Sequence, residues 1–243
     1  MGNESPIAAL NVKLRGLTSM ATSQLLAELV PAFVLSSGQA AAVEKVGGVV
    51  AARRVRERVP EGQALDFVVL SREVLMVLEA EGCLLAGSRV DLAQSHVAAA
   101  VRAGAPQPSI HDENALREAV RAARSLSFSS GPSGDHMMRL FERWGIAAEV
   151  AQRTVKAPPG VPVGALVASG EAELGFQQLS ELQHLSGIEL LGRLPAGTEC
   201  VTIFSAAVCA ASRQPQVTAA LLEFLGAAQH ENALRRHGME AVR

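Results

Sequence analysis

The sequence holds no tyrosine, a single tryptophan and seven phenylalanines in 243 residues. That leaves little from which to build an aromatic platform for single-stranded nucleic acid or a sugar ring. It also lacks charge of one sign: 22 Lys and Arg stand against 24 Asp and Glu, a formal net charge of −2. Without a basic face or an acidic tail, nucleic acid is not an expected partner. Cysteine is scarce. Cys83, Cys200 and Cys209 are odd in number, apolar-flanked and free of any CxxC pair. They argue for buried thiols in a reducing compartment, not for a disulfide frame. No apolar run approaches the roughly 18 residues needed to span a bilayer, so no membrane insertion is expected. Near the N-terminus the only apolar run, Ile7-Ala8-Ala9-Leu10, is too short for a signal-peptide core. The expectation is a cytoplasmic protein, or a periplasmic one from which an export leader has been removed.

Catalytic signatures are missing as well. There is no P-loop, no GxGxxG after a strand and no HExxH, and Gly131-Pro132-Ser133-Gly134 is one residue short of a GxSxG elbow. His96, His111, His136, His184, His230 and His237 have no ligand spacing with the cysteines, so neither a metal nor a cofactor is expected.

What is present is an apolar fraction of 49%, enough for a full core in one large or two small domains. Residues 10–17 alternate and end in Thr18-Ser19-Met20, a first strand. Leu25, Leu26, Leu29, Val30 and Phe33 come next at helical spacing, with Pro31 expected to kink or shorten that helix. Residues 40–46 read as a second strand ending at Gly47-Gly48, and 49–59 as a helix stopped by Pro60. Leu65 to Ser71 is a nearly continuous apolar run, as in a buried parallel strand, before a helix at 74–81. Three strand–helix units in succession predict an α/β sheet, where ligands sit outside the carboxyl ends of the strands. Ser19, Met20, Gly47, Gly48 and Ser71 occupy those ends. Arg53, Arg54, Arg56 and Arg58 decorate the second helix as a solvated face, from which Arg53 or Arg54 is placed to meet a carboxylate. Further strands are expected at 95–101, 125–129, 150–155, 172–178, 189–194 and within 201–212. Helices are expected at 114–123, 163–169 and 216–228, with single turns at 179–184 and 233–237.

The stretch from Phe128 to Trp144 organises the rest. Ser129, Ser130 and Ser133 supply hydroxyls, Gly131 and Gly134 allow close backbone approach, and Pro132 stiffens the turn. Met137, Leu140, Phe141 and Trp144 then make one apolar helix face. The loop reads either as a plain cap with Ser133 at the N-cap position, or as an anion site that aims free N–H groups and a helix dipole at one point. His136, two residues past Gly134, is a surface histidine or a proton carrier.

In order along the chain stand Leu17-Thr18-Ser19-Met20, Gly47-Gly48, Phe67-Val68-Val69-Leu70-Ser71, Ser129-Ser130-Gly131-Pro132-Ser133-Gly134, and Gly164 through Gln177 and Gln178. This series resembles the type II periplasmic solute-binding fold, and within it the molybdate-binding proteins. The resemblance covers nearly the whole chain and is most specific over 163–178. It implies two Rossmann-like α/β lobes with a ligand cleft between them: residues 1–94 and 200–243 in one lobe, 95–199 in the other, with crossovers near 92–95 and 196–201. It maps ligand donors to Ser19, to Gly47 and Gly48, to the loop of Ser130, Ser133 and Gly134, to backbone near Val163, and to Gln177 and Gln178. The sequence departs from the molybdate binders in two places. Gly47-Gly48 stand where serines are usual, and no tyrosine stands near Gln178, whose amide both donates and accepts and so suits a carboxylate. The implied function is binding of a small oxyanion or carboxylate, with an ABC transporter permease as partner if the protein is exported. The alternative is a cytoplasmic isomerase of a small unsaturated di- or tricarboxylate, of the aconitate isomerase type, with His136 as its base.

Overall fold

The computed structural model describes residues 13–242. Residues 10–12 of the expected first strand, and the Ile7–Leu10 run, lie outside them. The first part of the chain alternates as expected: β1 (Leu14–Thr18), α1 (Ser23–Ser37), β2 (Ala41–Lys45), α2 (Gly48–Arg58), β3 (Phe67–Ser71) and α3 (Arg72–Ala80). β1 pairs in parallel with both β2 and β3, so the three carboxyl ends share one edge. β3 is buried at every residue because both of its faces are covered. Phe67 and Val69 pack with Leu25, Leu29 and Phe33 of α1, while Val68 and Leu70 pack with Val55 of α2 and with Leu75 and Leu78 of α3.

Pro31 does not shorten α1, which runs through it to Ser37. Pro31 and Ala27, whose carbonyl loses its partner, are both exposed, where water can serve that carbonyl. The buried stripe of Leu25, Leu26, Leu29, Val30 and Phe33 holds the helix on both sides of the proline.

The second part comprises β4 (Val90–Arg102), α4 (Glu113–Ala122), β5 (Leu126–Phe128), α5 (Pro132–Arg143), α6 (Ala147–Arg153), α7 (Val163–Ser169), β6 (Leu174–Gln178), α8 (Leu179–Leu182) and β7 (Ile188–Arg193). The chain then returns through β8 (Val201–Val208), α9 (Pro215–Leu225), α10 (Glu231–Arg236) and β9 (Met239–Glu240). Where the sequence predicts a strand over 150–155 there is a helix, α6. Ile146 and Val150, both fully buried and four apart, mark its inner face, and only Thr154 bridges to Leu126 of β5. The helix after the serine loop is not capped by Ser133. Gly131 is its extended N-cap and Pro132 its first helical residue, where a missing N–H costs nothing.

The strand order is β2-β1-β3-β8-β4-β6-β5, with β7 and β9 also on β4. β4 belongs to both parts: residues 90–96 pair with β8, and Val97 to Val101 pair with β6. This register decides where the strand ends lie. Ser71, at the carboxyl end of β3, stands opposite Phe204, which stands opposite Ala93 of β4. Gln178, at the carboxyl end of β6, stands opposite Val97. β3 runs along β4 and β6 runs against it. Their carboxyl ends therefore face each other across the stretch from Ala93 to Val97, about 13 Å at ~3.3 Å per residue.

Candidate functional site

Helices start where these strands stop. α1 comes after β1 through Ser19 to Thr22, α2 starts at Gly47, α3 at Ser71, α5 at Gly131, α7 at Pro162 and α8 at Gln178. At none of the six does the N-cap side chain hydrogen-bond to the first turn, although in α7 the Gly164 N–H is met by Gln177 from β6. α4, by contrast, is capped by Asp112, whose carboxylate accepts from the Ala115 N–H at 2.8 Å. First-turn N–H groups without an internal acceptor, at the positive end of a helix dipole, are donors for an anion.

Hydroxyls accompany these starts. In the first loop Thr18 Oγ1 lies 2.7 Å from Thr22 Oγ1, and Ser19 Oγ lies 3.2 Å from the same atom. In the central loop Ser129 Oγ lies 2.6 Å from Ser133 Oγ. The loop closes tightly onto its helix: a Cβ on Gly134 would fall 1.7 Å from the Ser129 carbonyl oxygen, so only glycine fits. Ser130 is exposed and Met20 half-buried. Val163 is buried at the start of α7.

Five buried side-chain polar atoms have no hydrogen-bond partner among the described residues: His96 Nε2, Arg117 Nε, Ser127 Oγ and, at the sheet's strand ends, Ser71 Oγ and Gln178 Oε1. Ser71 and Gln178 belong to the two strand ends that face each other across β4. The amide nitrogen of Gln178 donates to Thr202 Oγ1 of β8 at 2.8 Å, joining the two parts of the sheet, and Ser95 and Ser180 make a second such link at 3.4 Å. Gln177 is turned to the other face of β6, where its Oε1 accepts from the Gly164 N–H at 3.3 Å and its Nε2 donates to Glu181 at 2.5 Å.

Two expected residues are otherwise engaged. The carboxylate that Arg54 meets is the protein's own Glu44 on β2, which also has Arg58 within 4.0 Å. His136 donates its Nε2 proton to the Thr198 carbonyl at 3.0 Å, tying α5 to the return segment. Several residues near these strand ends escape a reading of the sequence alone: Thr18, Thr22, Thr202 and above all Glu181. Glu181 is on the short helix α8 and Gln177 in β6, so no single-element spacing links them in the sequence. Burial pushes the Glu181 carboxyl up to about 7, against the single lowering contact from Gln177. Cys200, beside Arg139 and Glu73 where the return segment enters β8, is a thiol that burial raises to about 11.

A family model described as bacterial extracellular solute-binding protein matches residues 14–240. The chain belongs to that family. Among curated proteins, this solute-binding protein is 35% identical over 219 residues to an aconitate isomerase from Pseudomonas sp, covering 88% of this chain and 82% of that one. Among solved structures it superposes on the Azotobacter vinelandii periplasmic molybdate-binding protein with a TM-score of 0.76 at 17% identity, over 95% of this chain and 100% of that one. A periplasmic thiamin binding protein gives 0.75 at 16% identity, over 99% of this chain and 86% of that one. The architecture is thus the type II periplasmic binding protein fold, here with the carboxyl ends of β3 and β6 brought face to face. Among the described residues no helix is long and apolar enough to cross a membrane.

Proposed function

We propose that this solute-binding protein holds a small carboxylate anion, with an oxyanion of similar size as the competing ligand class, in the cleft between its two lobes. The observation that carries this reading is the pair of buried, unpartnered atoms, Ser71 Oγ and Gln178 Oε1, on strand ends that face each other amid uncapped helix starts. A buried polar group left unmade costs about 1–3 kcal/mol, which a bound guest recovers. We take residues 1–94 with 200–243 as one lobe and 95–199 as the other, closing as a hinge. The donors are the first turns after Ser19 and Met20, after Gly47 and Gly48, and after Ser130, Ser133 and Gly134, with Ser71, Val163 and Gln178 beside them. The glycines of the second loop and the amide of Gln178 favour a carboxylate over molybdate.

A second reading is supported by the relative named aconitate isomerase: the bound carboxylate is unsaturated and the protein moves a proton along it. Helix starts would hold the carboxylates and offset the charge that develops, and closure would keep water out.

Thermal shift against molybdate, tungstate, sulfate and a panel of di- and tricarboxylates tests the first reading. A ligand at 100 times its Kd adds about 2.7 kcal/mol of stability. A carboxylate is expected to give the shift, and a shift by molybdate with none by any carboxylate refutes that expectation. An absorbance assay of aconitate interconversion then tests the second. Cell fractionation separates their settings, since delivery to an ABC transporter permease requires export and a cytoplasmic pool fits turnover.

A further inference from the structure

Ser71 and Gln178 come from distant parts of the chain, yet their side chains share one face of the sheet. In β3, Phe67 and Val69 pack with α1, so Ser71, two residues further on, turns the same way. Ser71 stands opposite Phe204 of β8, which packs in that same core. Thr202, two residues before Phe204, therefore also turns to this face. Gln178 meets it there, its Nε2 donating to Thr202 Oγ1 at 2.8 Å. Helices α1 and α5 cover this face, α1 against Phe67 and α5 against Phe176 of β6. The starts of α1 and α5, where no N-cap side chain bonds to the first turn, thus flank Ser71 and Gln178.

The two side chains call for different groups on a guest. A serine hydroxyl donates as well as accepts, so Ser71 Oγ can donate to a carboxylate. An amide oxygen only accepts. Gln178 Oε1 is buried with nothing to accept from, on a residue 3% exposed. Its amide does not trade ends freely. The Thr202 hydroxyl gives its own proton to the sulfur of Cys200, two residues earlier, so its oxygen is left to accept the amide N–H. The carbonyl end is then the one without a partner. Molybdate, sulfate or a carboxylate group alone brings only acceptors, and two acceptors buried against each other both go unpaired. The guest must carry a donor. Thr202, Ser95 and Ser180 around the amide are all neutral, which suits a hydroxyl better than an ammonium, whose burial needs an acid beside it. Thr202 and the position opposite Ser71 are two residues apart along β8, about 7 Å at ~3.3 Å per residue. Contacts so separated fit a carboxylate and a hydroxyl on different atoms of one carbon chain, not the adjacent oxygens of a compact oxyanion.

We infer that the ligand is a hydroxycarboxylate, with Ser71 Oγ donating to its carboxylate and Gln178 Oε1 accepting from its hydroxyl. Gln178 is then a specificity residue, selecting the hydroxylated acid over its deoxy counterpart. The inference rests on the carboxylate-binding reading above and deepens it. A site that keeps an acceptor for a ligand O–H rejects the analogue lacking it, because the acceptor stays buried and unpaired.

The test is calorimetric titration of the full chain, at a pH well above the carboxylate range, against matched acids: citrate with tricarballylate, and malate with succinate. Both aconitates and molybdate are titrated alongside. Wild type is expected to bind the hydroxy member of at least one pair roughly ten- to hundredfold more tightly than its deoxy partner. Q178L is expected to bring that pair to within about threefold of each other, chiefly by weakening the hydroxy member. S71A is expected to weaken both members alike and preserve their ratio. The wild-type ratio decides the matter even where a variant fails to fold. Equal binding of both members by wild type overturns the inference and leaves the carboxylate reading standing, as does tighter binding of the deoxy acid or of an aconitate. A ratio unchanged in folded Q178L overturns the role given to Gln178. Binding by molybdate alone, or by none of these ligands, sinks the carboxylate reading and the inference together.

Discussion

Replacing Gly134 with alanine puts the central loop under direct test. The new Cβ would lie 1.7 Å from the Ser129 carbonyl oxygen and 2.8 Å from the Ser129 carbonyl carbon, whereas ordinary contact begins at 3.4 Å. The obstacle is main chain, so no side-chain rotation relieves it. Either the loop or the first turn of α5 must retreat by roughly 1.7 Å. Overpacking of a tight site costs about 1–3 kcal/mol, and a backbone obstacle belongs at the upper end. At ~2–4 °C per kcal/mol for a chain of this size, melting is expected to fall by about 6–12 °C. The retreat also parts Ser129 from Ser133, whose hydroxyls are 2.6 Å apart, so ligand-induced stabilisation falls with it. Gly131, three residues earlier, is the control. A Cβ there meets nothing within 4 Å, and its φ of −121° suits any residue. Gly131→Ala is therefore expected to be neutral or stabilising by about 0.4–1 kcal/mol, through a less flexible unfolded chain. Calorimetry with and without ligand reads both. A Gly134→Ala melt within 2 °C of wild type, or an equal loss in Gly131→Ala, would refute the reasoning.

Gln178→Leu removes both the bond to Thr202 Oγ1 and the unpartnered Oε1. The two losses oppose each other, so stability should move by less than about 1 kcal/mol. Ligand affinity should drop tenfold or more, about 1.4 kcal/mol, and calorimetric titration that finds it unchanged would remove Gln178 from the site. At the junction of α8 with α10, His184 Nε2 lies 3.0 Å from His237 Nδ1, and His237 Nε2 lies 2.8 Å from Glu28. Burial first and His237 second lower the His184 pKa, so its contribution is complete above the ordinary histidine value and declines as pH falls below about 6.5. Hydrogen bonds from Arg236 and His237 hold the Glu28 carboxyl below its ordinary 4.5, so its contribution persists to lower pH and is lost only beneath that value. Urea midpoints are expected to fall in those two stages, the first absent in His184→Asn. A first stage unchanged by that substitution would point to other groups.

The first half of the fold is legible because its strands carry their burial on their faces. Phe67 to Leu70 is apolar throughout and β3 is covered on both sides, and Gly38, Gly47 and Pro60 punctuate its neighbours. The apolar pattern places β4 only at 95–101 because Asp91, Gln94 and Ser95 interrupt it. Their polarity is met by distant partners, Arg72 and Ser205 on Asp91 and Ser180 on Ser95, which no local window contains. In 150–155 the β-branched residues suggest a strand, yet the buried pair Ile146 and Val150 has helical spacing. The ligand-facing glycines and serines can be nominated from strand ends alone. What Arg54 and His136 touch cannot, since Glu44 and Thr198 reach them only through the tertiary fold. Glu181 looks like an ordinary helical acid, and only packing half-buries it.

The place of β8 bears on how this chain is made. It lies between β3 and β4, although more than a hundred residues separate it from β3. Until synthesis passes Val208, β3 has no partner along that edge, while the segment between can already gather around a core that includes Val97, Leu116, Phe141 and Phe176. Distant pairing of this kind is slow to form and leaves an open strand edge in the meantime. The nascent chain thus emerges with its earliest sheet completed last, and any product ending before residue 201 would carry a sticky, unfinished edge.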